Sequence, residues 1–177
     1  LNSQAGWRPA LISEGQLRID DTQIAVWSPG TTVAGTTLER AAVNIALAPG
    51  TAPLRIQAIS RNNAPDIKQS LAQLPALAFA EPVLDDLQIA GDADMELRIG
   101  FDLKNLSDKL DVNVGLTLDN ARIGSDLLAL QADKLTGQVG YQTATGFYST
   151  DLSATLFGRP VSVDIGPHLT TRTDTVL

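Results

Sequence analysis

The feature that most constrains this sequence is a strict alternation of apolar and polar residues between positions 95 and 118. Two runs show it: M-E-L-R-I-G-F-D-L from Met95 to Leu103, and V-N-V-G-L-T-L from Val112 to Leu118. Successive side chains of an extended strand point to opposite faces, so each run predicts a strand with one apolar and one polar face. The short polar segment K-N-L-S-D-K between the runs predicts an antiparallel hairpin.

Similar half-apolar strands are predicted along most of the chain, because the same alternation recurs between breaks rich in Gly, Pro, Asp and Asn. The pattern indicates ten or eleven strands in all. Residues at the breaks favour turns rather than extended backbone. Turns or corners are predicted at Asp20-Asp21, Ser28-Pro29-Gly30 and Asp119-Asn120.

One helix is predicted, from Asn63 to Leu74. Asn62 or Asn63 supplies a capping side chain, and Pro65 falls in the first turn, where its missing N–H is tolerated. Apolar residues at positions 67, 71 and 74 recur at helical spacing, so they form a stripe that must pack on the sheet or across its end.

The predicted fold is mainly β: an antiparallel, curved, extended sheet of repeated hairpins, shaped as a groove or half-barrel, with one short α-helix. We divide the chain into an N-terminal hairpin unit (1–60), a helix and connector (61–83), a C-terminal β-repeat unit (84–166) and a loose tail (167–177). The octapeptides L-R-I-D-D-T-Q-I (17–24) and L-T-L-D-N-A-R-I (116–123) share a pattern. Duplication and chance both explain that similarity.

Composition excludes several classes of function. A net charge of −7 argues against nucleic acid as a partner, because nucleic-acid binding depends on Lys and Arg contacts to phosphates. The absence of Cys removes disulfides and thiolate chemistry. Apolar residues make up 44% of the chain but aromatic residues only 5%, so any apolar surface is aliphatic. No apolar run approaches the roughly 20 residues that span a bilayer. Because the chain starts at Leu1 rather than Met, we expect it to be part of a longer protein.

Reactive and metal-binding groups form no recognisable constellation. Asp92, Asp94 and Glu96 share one strand face and offer oxygen ligands for calcium, but no EF-hand loop surrounds them and a solvated strand face explains them better. His168 is the only histidine, and no G-x-S-x-G motif accompanies it. The sequence therefore predicts a protein that is not an enzyme, and it gives no reason to expect a cofactor.

Four segments of the second half carry a resemblance to a known family. They are G-D-A-D-M-E-L-R-I-G-F-D-L from Gly91, L-T-L-D-N-A-R-I from Leu116, L-T-G-Q-V-G-Y from Leu135, and D-L-S-A-T-L-F-G-R-P-V-S-V-D-I from Asp151. In this region the chain resembles the β-repeat region of the AsmA-like proteins, in particular the YhdP-type branch. The last two segments weigh most, since they contain G-x-V-x-Y and F-G-x-P-V.

The resemblance implies a protein of the Gram-negative cell envelope, anchored in the inner membrane and projecting into the periplasm. Such proteins are similar to bridge-type lipid carriers, which move phospholipid along a hydrophobic groove towards the outer membrane and so maintain its barrier. The implied partners are phospholipid acyl chains, adjoining repeats of the full-length protein, and the inner membrane through an anchor outside this chain.

The apolar strand faces are the candidate functional site. An acyl chain needs only continuous apolar area, because each buried methylene contributes about 0.8 kcal/mol without directional contacts. The alternative is that the same residues form a closed core, and the sequence leaves both possibilities open. The groove candidates are Met95, Leu97, Ile99, Phe101, Leu103, Val112, Val114, Leu116, Leu118, Leu135, Val139, Leu152, Leu156, Val161 and Val163.

A function of another class also fits the composition: a β-sandwich module that binds carbohydrate or acts in adhesion without catalysis. That function requires exposed aromatic side chains clustered on one face. Trp7, Trp27 and Tyr148 are the candidates for such a cluster.

Overall fold

The alternating segments form one antiparallel sheet of nine strands within the residues that the computed structural model describes, which are 14–33, 36–72, 85–105, 110–126 and 129–166. Every strand pairs with its neighbours in the chain, in the order β1 to β9. The mainly β, antiparallel, curved sheet with one short helix is confirmed. The elements are β1 (Gln16–Ile19), β2 (Gln23–Val33), β3 (Thr36–Ala46), β4 (Pro53–Asn63), α1 (Ala64–Ala72), β5 (Leu87–Asp102), β6 (Asp111–Ser125), β7 (Leu130–Gln142), β8 (Gly146–Leu156) and β9 (Arg159–Val163).

The two faces of the sheet differ as the alternation predicts. On β5 the side chains of Ala93, Met95, Leu97 and Ile99 are buried, and we call their side of the sheet the inner face. The residues between them are exposed and lie on the outer face, where acidic and basic side chains form ion pairs. Inner side chains from β3 to β8 belong to one hydrophobic cluster, because the sheet curves.

A line of irregularities crosses β5 to β8 at one level of the sheet. The pairing register shifts at this level between β5 and β6, between β6 and β7, and between β7 and β8. Residues with positive φ occupy the irregular positions. A β-bulge bends its strand and increases the local twist, so bulges on neighbouring strands curve the sheet together. We call this line the bulge row; its positive-φ residues are Gly91, Asn120, Lys134, Gly137 and Asp151.

The bulge row keeps apolar residues on the inner face by switching which positions point inwards. In β6 the inner residues are even-numbered up to Leu118, and odd-numbered from Ala121 onwards. The predicted corner at Asp119-Asn120 is therefore wrong: the extra residue makes a bulge, and β6 continues to Ser125. Since β5 likewise continues through Gly91, the predicted ten or eleven strands reduce to nine in the described part of the chain.

The predicted break at Ser28-Pro29-Gly30 is also wrong, because β2 continues through it to Val33. Gly30 has a φ of 70°, and the buried positions shift from Ser28 to Thr31 across it. β1 pairs with β2 only as far as Trp27, so the missing N–H of Pro29 falls on an unpaired edge, where proline is tolerated.

The first predicted turn is confirmed by hydrogen bonds that close the β1–β2 hairpin. The Asp20 N–H donates to the carbonyl of Gln23 at 3.0 Å. Asp20 Oδ1 accepts from the Thr22 N–H, the Thr22 hydroxyl and the Gln23 N–H, at distances of 2.6 to 3.0 Å. The Asp20 side chain therefore stabilises this turn directly.

Helix α1 begins where the sequence predicts. Asn63 Oδ1 accepts a hydrogen bond from the Asp66 N–H at 2.9 Å, which is the geometry of an N-cap. Ile67 is 1% exposed and packs into the cluster with Ala58, Ala64 and Ala93. The helix thus covers the inner face next to β4 and β5. The side chain of Leu71, and Leu74 with the predicted end of the helix, lie outside the described residues.

Other predictions also fall outside the described residues: Trp7, His168 and the tail (167–177). The division of the chain into units at 60/61, 83/84 and 166/167 stays a prediction. β4 and β5 pair from Pro53 with Asp102 to Asn63 with Asp92, so one sheet spans the first and third of these units. Within the ranges given above, no helix is both long enough and apolar enough to cross a bilayer.

Candidate lipid-binding trough

A cavity of about 430 Å³ lies on the inner face of β5 to β9, and we call it the apolar trough. Its walls come from five consecutive strands, so the same alternation that forms each strand also supplies its lining. The lining residues are Leu87, Ile89, Val114, Leu116, Leu118, Ile123, Leu130, Ala132, Leu135, Val139, Gly140, Tyr141, Phe147, Leu152, Ala154, Leu156, Val161, Val163 and Ile165.

The chemistry of the lining is uniform. Tyr141 is the one lining residue whose side chain carries a polar atom. Its ring lies 5.2 Å from that of Phe147, at an interplanar angle of 60°, within the favourable range for an aromatic pair. Phe147 is 48% exposed, so this pair stands at the open side of the trough. The trough therefore offers contact area and almost no directional bonding.

The bulge row explains why residues on both sides of it line the same trough. Leu118 and Ile123 lie on either side of the bulge in β6, and both line the trough. The extra residue between them reverses the alternation, so that both side chains face inwards. Without it, the apolar residues beyond the bulge would point to the outer face and would not line the trough.

The structure brings most of the predicted groove residues together. These come from β6 to β9 and line the trough: Val114, Leu116, Leu118, Leu135, Val139, Leu152, Leu156, Val161 and Val163. Whether they bind lipid stays a prediction.

The remaining predicted groove residues lie elsewhere. Met95, Leu97, Ile99 and Val112 are buried in the hydrophobic cluster and do not line the trough. Phe101 is half-buried and packs against that cluster. Leu103 follows the end of β5 and is 39% exposed, because the strand stops at Asp102. On β5, then, the central part of the apolar face is core, and only its beginning reaches the trough.

Sequence reasoning missed ten lining residues, several of which lie next to a bulge or a turn. They are Leu87, Ile89, Ile123, Leu130, Ala132, Gly140, Tyr141, Phe147, Ala154 and Ile165. The signal that identifies several of them is the reversal of alternation within one strand, as from Leu118 to Ala121. The aromatic pair has a different signal, since Tyr141 and Phe147 flank the turn between β7 and β8.

The acidic side chains considered for calcium lie on the outer face, away from the trough. Asp94 accepts a hydrogen bond from the Arg61 guanidinium at 2.8 Å, and this pair raises the pKa of Arg61 above its ordinary value. Glu96 pairs with Arg98. Among the residues that the structure describes, no group of three or more His, Asp or Glu side chains is arranged to hold a metal ion.

One aromatic ring covers the outer side of Gly115 and Gly140, although the Gly140 backbone also borders the trough. A Cβ atom at Gly140 would lie 2.6 Å from the Tyr148 ring, and one at Gly115 would lie 3.5 Å from its hydroxyl. The ring thus protects the backbone of β6 and β7, which gives Tyr148 a structural role. Trp27 lies on β2, six strands from Tyr148, so these two aromatic residues do not form the cluster that carbohydrate binding requires.

Comparison with known families identifies the chain. The sequence profile of the YhdP protein family matches residues 1–176. The chain belongs to the YhdP family. This confirms the resemblance to the YhdP-type branch of the AsmA-like proteins. Searches among curated proteins and among solved structures return no match to this YhdP-family chain.

Proposed function

We propose that this YhdP-family chain forms part of a periplasmic, non-enzymatic conduit for phospholipid between the inner and outer membranes. In this proposal the apolar trough holds acyl chains, and adjoining parts of an inner-membrane-anchored protein continue the path. The observation that carries the proposal is the trough itself, which has an almost purely aliphatic lining contributed by five consecutive strands.

The energetics of the trough suit a moving lipid. Each methylene that leaves water for an apolar wall contributes about 0.8 kcal/mol, whichever wall residue it touches. Because the contact is non-directional, sliding by one methylene exchanges one contact for an equivalent one. The cavity volume of about 430 Å³ falls within the usual range of about 300–1,000 Å³ for small-molecule sites.

The chemistry of the lining supports transport rather than catalysis. General acid–base or nucleophilic catalysis needs a titratable or nucleophilic group beside the reacting atoms. The trough offers the Tyr141 hydroxyl and otherwise hydrocarbon and backbone. A bound acyl chain would therefore be held without being attacked.

Photo-crosslinking tests the proposal at neighbouring positions on opposite faces. Leu116 and Val139 pair across β6 and β7 and line the trough, whereas Thr117 and Gln138 form the next pair and face outwards. A photoreactive amino acid at 116 or 139 is expected to crosslink phospholipid in cells, and at 117 or 138 it is not. Equal crosslinking from both faces, or none from the inner face, contradicts the proposal.

A second experiment separates loss of binding from loss of folding. Leu116→Asp places a charge in the trough and should abolish co-purification of phospholipid, measured by mass spectrometry. Thr117→Asp is the outer-face control and should retain the lipid. Val139→Trp fills the trough without adding charge and should also exclude lipid. Circular dichroism must show native β-structure in all three variants, and full lipid content in folded Leu116→Asp and Val139→Trp proteins overturns the proposal.

A further inference from the structure

A second cavity adjoins the apolar trough at its α1 end. It has a volume of about 460 Å³ and lies between α1 and the first residues of β5. Leu87 and Ile89 line both cavities, so these two side chains form a shared wall. The two cavities differ in chemistry, because polar side chains line the second one: Lys68 and Gln69 of α1, Asp85 just before β5, and Gln88 of β5.

Lys68 is the cation of this second cavity, and its ammonium group lies at the shared wall. Lys68 Nζ donates a hydrogen bond to the carbonyl of Leu87 at 2.6 Å. No carboxylate of the described residues lies within ion-pair distance of it. A lysine ammonium has three N–H donors, so the bond to Leu87 leaves two of them for another acceptor.

The remaining polar side chains limit what that acceptor can be. Asp85 brings a negative charge to the same cavity and is exposed. Gln88 Nε2 donates to Asp126 at 3.0 Å, which fixes its amide on the outer side of β5. One cation and one anion therefore line a cavity that adjoins the apolar trough. This arrangement complements a zwitterionic group, which carries one charge of each sign.

We propose that the second cavity binds the phosphate-bearing headgroup of a zwitterionic diacyl lipid whose acyl chains occupy the apolar trough. The phosphate oxygens accept from Lys68 Nζ, and the headgroup ammonium faces Asp85. This inference rests on the proposed function, and it adds a place where the lipid is held by its headgroup as well as its tails. A charge-assisted hydrogen bond is stronger than a neutral one, so Lys68 would give the trough a preference among lipids with identical tails.

Paired lipids with the same acyl chains test the assignment. Phosphatidylethanolamine and diacylglycerol are offered to the 177-residue chain, and the dissociation constants are measured by native mass spectrometry. We expect the wild-type chain to bind phosphatidylethanolamine about tenfold more tightly. Lys68→Gln should remove that preference and leave diacylglycerol binding unchanged, whereas Lys68→Arg, which keeps the charge, should retain the preference.

Lys104 provides the matched control. Its Nζ also donates to a backbone carbonyl, that of Ala48 at 3.2 Å, but it lines neither cavity. Lys104→Gln should therefore leave the headgroup preference intact. Thermal unfolding of each variant shows whether an effect on binding comes from loss of structure.

The other outcomes overturn the inference in distinguishable ways. Equal binding of both lipids by the wild type, or a preference that survives Lys68→Gln, removes the headgroup site but leaves the lipid trough in place. Failure of both lipids to bind removes the site together with the proposed function. Binding of soluble glycerophosphoethanolamine as tightly as the lipid, and dependent on Lys68, assigns the cavity to a free phosphoester instead.

Discussion

The two halves of the sheet share one pattern and use it differently. In β1 to β4 most buried residues are small or polar, as at Ser28, Ala58 and Ser60, and Leu38 is the large exception. α1 lies against this region and the adjoining part of β5. In β6 to β9 the inner residues are mostly Leu and Val, and they enclose the apolar trough. Small side chains let a helix pack close to the sheet. Large side chains on curved strands instead enclose a cavity that can hold an apolar ligand.

The two similar octapeptides show the same contrast locally. In 17–24 the Asp-Asp pair lies in a hairpin turn between β1 and β2, whereas in 116–123 the Asp-Asn pair lies in a bulge inside β6. A shared sequence pattern thus accompanies two different backbone paths. Which path forms depends on the neighbouring strands, because β6 is paired on both sides and β1 is at an edge.

The largest expected effect comes from glycines with positive φ in the two halves. A Cβ atom at Gly137 would lie 2.4 Å from the Asp151 carbonyl oxygen and 2.7 Å from the Leu152 Cα, whereas Gly30 faces open space. Gly137→Ala should lower the free energy of unfolding by about 4 kcal/mol, from overpacking and backbone strain together. Gly30→Ala should cost only about 1–2 kcal/mol of strain. Urea unfolding measures both, and equal losses would contradict the difference in packing.

The next effect compares a buried residue of α1 with a residue in the trough. Ile67 is fully buried, so Ile67→Ala leaves a void and should lower the free energy of unfolding by about 3 kcal/mol. Leu116→Ala enlarges a cavity that already exists and should cost about 1 kcal/mol, from lost contact area. Chemical denaturation of the two variants tests this order. A larger loss for Leu116→Ala would show that the trough is a packed core.

A smaller effect is expected at the start of α1. Asn63 ends β4 and caps the helix through its bond to the Asp66 N–H. Asn63→Ala should cost about 1 kcal/mol, and Asn63→Asp, which keeps an acceptor, should cost less. Hydrogen exchange of the α1 amides should rise in the alanine variant while the amides of β7 stay protected. Uniform exchange across both elements would mean that the helix and the sheet unfold as one unit.

The smallest effect is a pH dependence in the first hairpin. The Thr22 hydroxyl, the Thr22 N–H and the Gln23 N–H lower the pKa of Asp20 from 3.8 to about 2. Since the folded pKa is below the unfolded one, this contribution to stability is complete above about pH 4 and is lost as the pH falls towards 2. An NMR titration of the Asp20 carboxyl carbon checks it. A midpoint near pH 4 would contradict the hydrogen-bonded turn.

Alternation alone predicted the strands, the two faces and nearly half of the trough lining. It did not predict the bulge row, because the switch from Leu118 to Ala121 also fits a turn, and only pairing with β5 and β7 excludes a turn there. It also assigned Leu97 and Ile99 to the groove, although both are core. Which inner residues line a cavity depends on how far the sheet curves, and that curvature arises from contacts between strands.

The bulge row has a consequence for protein engineering. β6, β7 and β8 each accommodate one additional residue at the same level of the sheet. Deleting that residue from one strand would move the inner side chains beyond it to the outer face, while the side chains of the neighbouring strands kept their orientation. A chimera that grafts this part of the sheet onto another protein must therefore transfer β6, β7 and β8 together, along with Gly91 of β5.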